Sequence, residues 1–309
     1  MRLDRRTLLA SLAALPLATP SRADAPTEGR LAEHPQMPSA HVQPRDVTVW
    51  LPPGYDASDA RYPVLYMHDG QNLFDGSRAA YGKEWGVDEH VARLSANGQI
   101  RTPIVIGIHN TPLRLREYIP ADLLRALPED MRADIQSIYG GDPLSDAYLR
   151  FMVEELKPFV DRTYRTRPGR DDTVVIGSSM GGLISLYALM KHPGVFGAAG
   201  CVSTHWPIRI DQITDEALAP WRERLVAAWT GVVRDGLPKP HGHRLYFDRG
   251  DETLDAFYAV FQSRIDQTIR AAGWGPGRFR SLVFPGAEHN EASWNRRLDV
   301  PLAFLLPPA

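Results

Sequence analysis

The feature that most restricts the fold is a rhythm in the chain. Short apolar runs of strand length recur, separated by segments whose apolar residues fall at helical spacing. Pro63 to His68 (PVLYMH) is apolar nearly throughout, as expected of a strand buried on both faces. Pro103 to Ile108, Thr173 to Ile176, Gly197 to Val202, Arg244 to Phe247 and Phe279 to Phe284 repeat the pattern. Asp46 to Leu51 is a further short strand, closed by the turn Pro52-Pro53-Gly54. Helical spacing is read over Trp85 to Leu94, Tyr148 to Tyr164, Leu183 to Lys191, Leu254 to Ala271 and Ser293 to Leu305. The alternation predicts an α/β fold, a mostly parallel central sheet with helices on both faces. In such a sheet the site is expected at the carboxyl ends of the strands.

Composition removes several alternatives. The 309 residues are 43% hydrophobic and 23% charged, enough for a core and unlike a disordered chain. A formal charge of −2 gives no basic footprint for nucleic acid. Cys201 is the single cysteine, so an internal disulfide and a thiolate metal cluster are both excluded. No internal stretch reaches the roughly 18 apolar residues of a membrane span.

The first residues read differently. Arg2, Arg5 and Arg6 precede an apolar run from Thr7 to Thr19, and Ser21-Arg22-Ala23 offers small residues for cleavage. Residues 1–23 are therefore expected to be a secretory signal, and the Arg5-Arg6 pair suggests the twin-arginine kind over the general one. That places the protein in the periplasm or outside the cell, without a membrane anchor. Residues 24–40, rich in Pro, Ala and Glu without a period, read as a linker, and 41–309 as one domain. Residues 110–145 hold Pro112, Pro120, Pro128 and Pro143 and only short helical patches. Their length and their Arg114, Arg116, Tyr118 and Tyr139 suggest a flap over the site, with a plain surface excursion as the alternative.

The chemistry centres on Gly177-Ser178-Ser179-Met180-Gly181. A buried-type strand enters this G-x-S-x-G pattern and a helical run leaves it, the context of a nucleophile elbow. Gly177 and Gly181 are expected where a Cβ would collide as strand and helix approach. The elbow sets Ser179 at a helix amino end, where free N–H groups favour developing negative charge. A serine hydroxyl needs a base, and the base an orienting carboxylate. His289 follows the last strand and opens the last helix, the place from which an imidazole can reach Ser179. His241 and His243 precede their strand and lie at the wrong end of the sheet. His205 is either a pocket wall or a buried, satisfied side chain. The carboxylate should follow Arg244 to Phe247, where Asp248, Asp251, Glu252 and Asp255 all qualify by spacing. The second oxyanion donor, beside the Met180 amide, is expected from the loop after Pro63 to His68, with the Gln71 amide preferred and Gly70 allowing close approach. His68 and Asp69 are read as bracing that loop. No metal and no organic cofactor are expected.

These stretches resemble one known family. His68-Asp-Gly-Gln-Asn-Leu-Phe74, Arg116-Glu-Tyr-Ile-Pro120, Gly177-Ser-Ser-Met-Gly-Gly182, Tyr246-Phe-Asp-Arg-Gly250 and Gly286-Ala-Glu-His289 are similar to the Putative esterase family of α/β hydrolases, which includes esterase D, feruloyl esterases and enterochelin esterases. The resemblance implies the α/β-hydrolase fold, Ser179 as nucleophile and His289 as base. It favours Asp255 as the acid, with Glu252 in reserve, since the glycine of Tyr-Phe-Asp-x-Gly is followed by a short turn and Leu-Asp. The expected activity is hydrolysis of a small-molecule carboxylic ester through an acyl-enzyme by an exported enzyme. An acyltransferase using the same triad and a non-catalytic binding protein on this scaffold are the alternatives. Arg114 and Arg116 would suit an acidic acyl or phenolic group, and Trp206 with Tyr118 an aromatic one.

Overall fold

A computed structural model describes residues 29–308 except 80, 81 and 212, so the expected signal at 1–23 lies outside the described residues. Eight strands form one sheet in the order β1-β2-β4-β3-β5-β6-β7-β8. They are β1 (Arg30–Met37), β2 (Arg45–Leu51), β3 (Val64–His68), β4 (Ile104–Ile108), β5 (Thr173–Ser178), β6 (Ala198–Val202), β7 (Arg244–Arg249) and β8 (Phe279–Val283). Strands β3 to β8 run parallel, while β2 lies antiparallel to both β1 and β4.

The helices follow in chain order. They are α1 (Val87–Ala96), α2 (Arg114–Tyr118), α3 (Ala121–Ala126), α4 (Glu129–Tyr139), α5 (Ser145–Arg150) and, after a π-helical turn at Phe151–Leu156, α6 (Lys157–Thr163). Then come α7 (Met180–Lys191), α8 (Asp215–Gly236), α9 (Ala259–Ala271), α10 (Glu291–Asn295) and α11 (Asp299–Leu305).

Alternation along the parallel strands divides the core. Val64 and Tyr66 of β3 and Val175 of β5 join one cluster with side chains of α4, α7, α8 and α9. Leu65, Met67, Val174 and Ile176 point the other way, against Val87, Val91 and Leu94 of α1 and Leu302 and Leu305 of α11. Both faces are thus covered, which is why these strands read as unbroken apolar runs. Cys201 of β6 is fully buried within the first cluster.

Two expectations need correction. Residues 30–37, read as linker, form edge strand β1, paired with β2 from Arg30 opposite Leu51 to Met37 opposite Arg45. Most of its side chains are exposed or half-buried, so backbone pairing holds it and little apolar pattern marks it. Residues 110–145 are largely helical rather than an irregular flap, because Tyr118, Leu123, Leu124, Leu127, Met131, Ile135 and Tyr139 anchor α2 to α4 in the core. Helix α8, which the sequence reading did not mark, buries Leu218, Trp221, Leu225, Trp229 and Val233 at helical spacing despite Pro220 within it.

Candidate active site

The turn from β5 into α7 is held open to the site by strain and by close packing. Ser179 adopts φ 56° and ψ −121°, a conformation costly for any residue but glycine and typical of a functional constraint. Its amide donates to the Val202 carbonyl at 2.9 Å, and its carbonyl accepts from Gly182 and His205. A Cβ on Gly177 would lie 2.7 Å from the Gly181 carbonyl oxygen, so only glycine lets strand and helix pass. Gly181 itself is different from expectation: a Cβ there would meet only ordinary contacts at 3.5 Å or more. Gly70 is likewise required by packing, since its Cβ would sit 2.5 Å from the Gly107 backbone of β4.

Ser179 and His289 border one cavity of about 570 Å³ at the carboxyl ends of the parallel strands. His289 Nδ1 bonds Asp255 Oδ1 at 2.6 Å. Asp255 is fully buried in a single helical turn, Thr253–Phe257, that precedes α9. Its other oxygen accepts the Gly250 amide at 2.5 Å and the Ser203 hydroxyl at 2.6 Å. Burial opposes its charge, but these donors together with His289 outweigh it and hold the carboxyl below its usual range.

The other carboxylates after β7 have separate partners. Asp251 accepts the Gly286 amide at 2.6 Å. Glu252 is exposed and its backbone amide donates to Ala287. Asp248 is buried, taking bonds from Tyr246, Arg297 and the Ser203 amide. Thr253 Oγ1 accepts the His289 amide at 2.8 Å, so the loop after β7 and the loop after β8 are stitched together. The distance between the turn and the histidine is thereby fixed by main chain as well as by the side-chain pair.

Gln71 borders this cavity, and Met180 is the first residue of α7, directly after Ser179.

Asp69 and His68 brace the loop as expected. Asp69 takes Arg114 and Asn110, and His68 Nδ1 meets the Tyr148 hydroxyl at 2.8 Å. Burial pushes His68 down to about 3, so it is neutral. His205 is buried, with Tyr258 and the Arg209 carbonyl on its two nitrogens, and burial pushes it down to about 4. It is a satisfied interior side chain. Among the described residues, no group of three His, Cys, Asp or Glu is arranged to hold a metal ion.

Several substrate contacts expected from sequence are absent from the cavity wall. Tyr118 and Trp206 are fully buried in the core, and Arg116 turns away to the Asp142 carbonyl. Arg114 does border the cavity. The aromatic surface comes from Trp85 and Trp294, whose rings meet at 5.5 Å, and the polar surface from Asn72, Asn110 and Glu291. Sequence reasoning missed these; Trp294, five residues after His289 in the same helical entry, was the most accessible signal. Burial and the nearby Asp69 charge push the Glu291 carboxyl up.

Comparison with known proteins identifies a family. A family model described as "Putative esterase" matches residues 39–305. The ferri-bacillibactin esterase BesA of Bacillus subtilis is 27% identical over 155 residues, covering 48% of this chain and 50% of that protein. This chain spans no more than 62% of the length of the curated relatives it matches. A solved ferulic acid esterase superposes with a TM-score of 0.62 at 20% identity, covering 90% of this chain and 98% of that one. The enterobactin esterase FES of Shigella flexneri, solved with 2,3-dihydroxy-N-benzoylserine, gives 0.62 at 16% identity, covering 89% and 59%. The likeness to these structures lies in the α/β-hydrolase fold. This chain belongs to the Putative esterase family.

Proposed function

We propose that this chain is an exported serine hydrolase that cleaves a small carboxylic ester through an acyl-enzyme. The observation that supports this most is the 2.6 Å bond between His289 Nδ1 and Asp255 Oδ1, with the imidazole on the same cavity wall as the strained Ser179. A histidine tied at Nδ1 presents Nε2 to a serine and is held in the tautomer a general base needs.

In this reading Ser179 Oγ attacks the ester carbonyl carbon while His289 Nε2 takes its proton. The carbonyl oxygen becomes an oxyanion and is met by the Met180 and Gln71 amides; losing one such donor costs about 3 kcal/mol of transition-state stabilisation. Asp255, ionised and buried, stabilises the imidazolium. His289 returns the proton to the leaving alkoxide, and the alcohol departs. Water then repeats the sequence on the acyl-enzyme and releases the carboxylic acid and free Ser179.

The substrate is a small, partly aromatic ester with polar substituents. Trp85 and Trp294 border a cavity of about 570 Å³ together with Asn72, Asn110 and Arg114. The ferulate and enterobactin chemistry named for relatives supports that class. Export rests on the Arg5-Arg6 pair and the apolar run after it.

The test is a hydrolysis panel of short-acyl, feruloyl and siderophore esters with the parent and Ser179→Ala. The parent is expected to hydrolyse at least one class, and Ser179→Ala to lose turnover on the order of 10⁶-fold while keeping its melting temperature. Normal turnover by a folded Ser179→Ala protein excludes the mechanism.

A further inference from the structure

Asp255 is gripped on the side away from the histidine by an arrangement that begins outside the triad. Oδ1 faces His289, and Oδ2 faces Ser203, which lies just past the end of β6. Ser203 Oγ accepts two hydrogen bonds, from Trp294 Nε1 at 3.0 Å and Arg297 Nη2 at 2.7 Å. A serine hydroxyl has one proton and two lone pairs. Both lone pairs are occupied, so the proton is committed to Asp255 Oδ2, 2.6 Å away. Arg297 is itself anchored, donating through the same nitrogen to Asp248 Oδ1 at 3.0 Å. Arg297 is 5% exposed, and Ser203, Asp248 and Asp255 are fully buried.

The backbone at Ser203 points the same way. Its φ of 43° is the left-handed region, where glycine sits without strain and a side chain costs free energy. A hydroxyl therefore stands where the chain geometry favours glycine, and every hydrogen-bonding valence of that hydroxyl is used.

We propose that Ser203 is a positioning residue for the Ser179, His289 and Asp255 reaction, its hydroxyl aimed by Arg297 and Trp294 so that Asp255 presents Oδ1 alone to the imidazole. The proposal rests on the triad reading above. Arg297 Nη2 lies 4.0 Å from Asp255 Oδ2. With the Ser203 hydroxyl gone, the carboxylate keeps only the Gly250 amide on that side and is free to turn toward the guanidinium. The imidazole then loses its alignment.

Two variants test this, Ser203→Ala and Ser203→Gly. The glycine variant relieves the left-handed strain, so it folds if the alanine variant does not. Three quantities are measured: kcat and KM on the best ester of the panel, the melting temperature, and the low-field proton resonance of the His289 Nδ1 bond to Asp255. Kcat is expected to fall about ten- to hundredfold with KM unchanged, as for a small misplacement of a catalytic group. The low-field resonance is expected to move upfield or vanish in both variants. A folded Ser203→Gly protein that keeps the parent's kcat, or its resonance, overturns the proposal. A parent that hydrolyses no ester, yet whose resonance shifts in the variants, refutes the triad reading and leaves the positioning of Asp255 standing.

Discussion

Arg114 clasps Asp69 with two parallel hydrogen bonds, Nε to Oδ1 and Nη2 to Oδ2, both 2.7 Å. This fork ties the start of α2 to the loop after β3, on the rim of the cavity where Ser179 and His289 meet. Burial opposes the Asp69 charge, but Arg114 and Asn110 outweigh it and lower the carboxyl below its ordinary 3.8. A lowered carboxylate stabilises the fold fully above its unfolded value, and that stabilisation is lost as pH falls through the lower folded value. Replacing Arg114 by Gln is expected to cost about 2 kcal/mol near neutral pH, less than a fully buried pair because the arginine is 26% exposed. The variant should also lose less stability than the parent as pH falls below about 4. Thermal melts across that range check both effects.

Which carboxylate serves the histidine is decided by four substitutions. Asp255→Asn should lower turnover by up to about 10⁴. Glu252→Gln and Asp251→Asn should stay near the parent, since one is exposed and the other holds the Gly286 amide. Asp248→Asn should lower the melting temperature first, because Arg297 then faces a neutral partner in the interior. Collapse of turnover in Glu252→Gln with Asp255→Asn unaffected would reassign the acid.

Two buried histidines should weaken the fold as the solution turns acid, partly offset by Asp88, whose carboxyl burial pushes up to about 7. His68 and His205 are buried, pushed down to about 3 and about 4 from the ordinary 6.5. Below pH 6.5 the unfolded chain takes up protons that the folded chain refuses, so stability falls with pH until the folded values are reached. Each histidine contributes a slope of up to about 1.4 kcal/mol per pH unit in that window. Urea melts at intervals from about pH 7.5 to pH 4.5 should show the decline, and His68→Gln should flatten it.

Export has its own reading. Changing Arg5-Arg6 to Lys-Lys is expected to block secretion of an active protein, because the twin-arginine route reads the arginine pair itself. Undiminished secretion in that variant assigns the signal to the general pathway. Retention of wild-type protein in the cytoplasm refutes export altogether.

Legibility in the sequence followed burial on both faces. Strands β3 to β7 could be read because their central residues are apolar, and half-exposed β8 could be read from Phe279, Leu282 and Val283. The elbow could be read because strand, glycine, serine and helix follow one another locally. Edge strand β1 could not, since its RLAEHPQM stretch is largely exposed and its hold is main-chain pairing with β2. Helix α8 was hidden by Pro220, although Leu218, Trp221, Leu225, Trp229 and Val233 keep helical spacing. The site shows the same division. Ser179 and His289 are marked by their neighbours in the chain, whereas Asp255 sits among three other acids. What distinguishes it spatially is its bonds to His289, Ser203 and Gly250, and spacing along the chain does not record them.

The placement of Cys201 makes the interior report on itself. Its thiol is sealed in the core and pushed up by burial, so the reactive thiolate is scarce while the sheet is closed. Because it is the sole cysteine, modification of a thiol in this chain reports on Cys201 alone. A thiol-specific dye thus times the breathing of the strand that ends just before Ser203, with no label engineered into the protein.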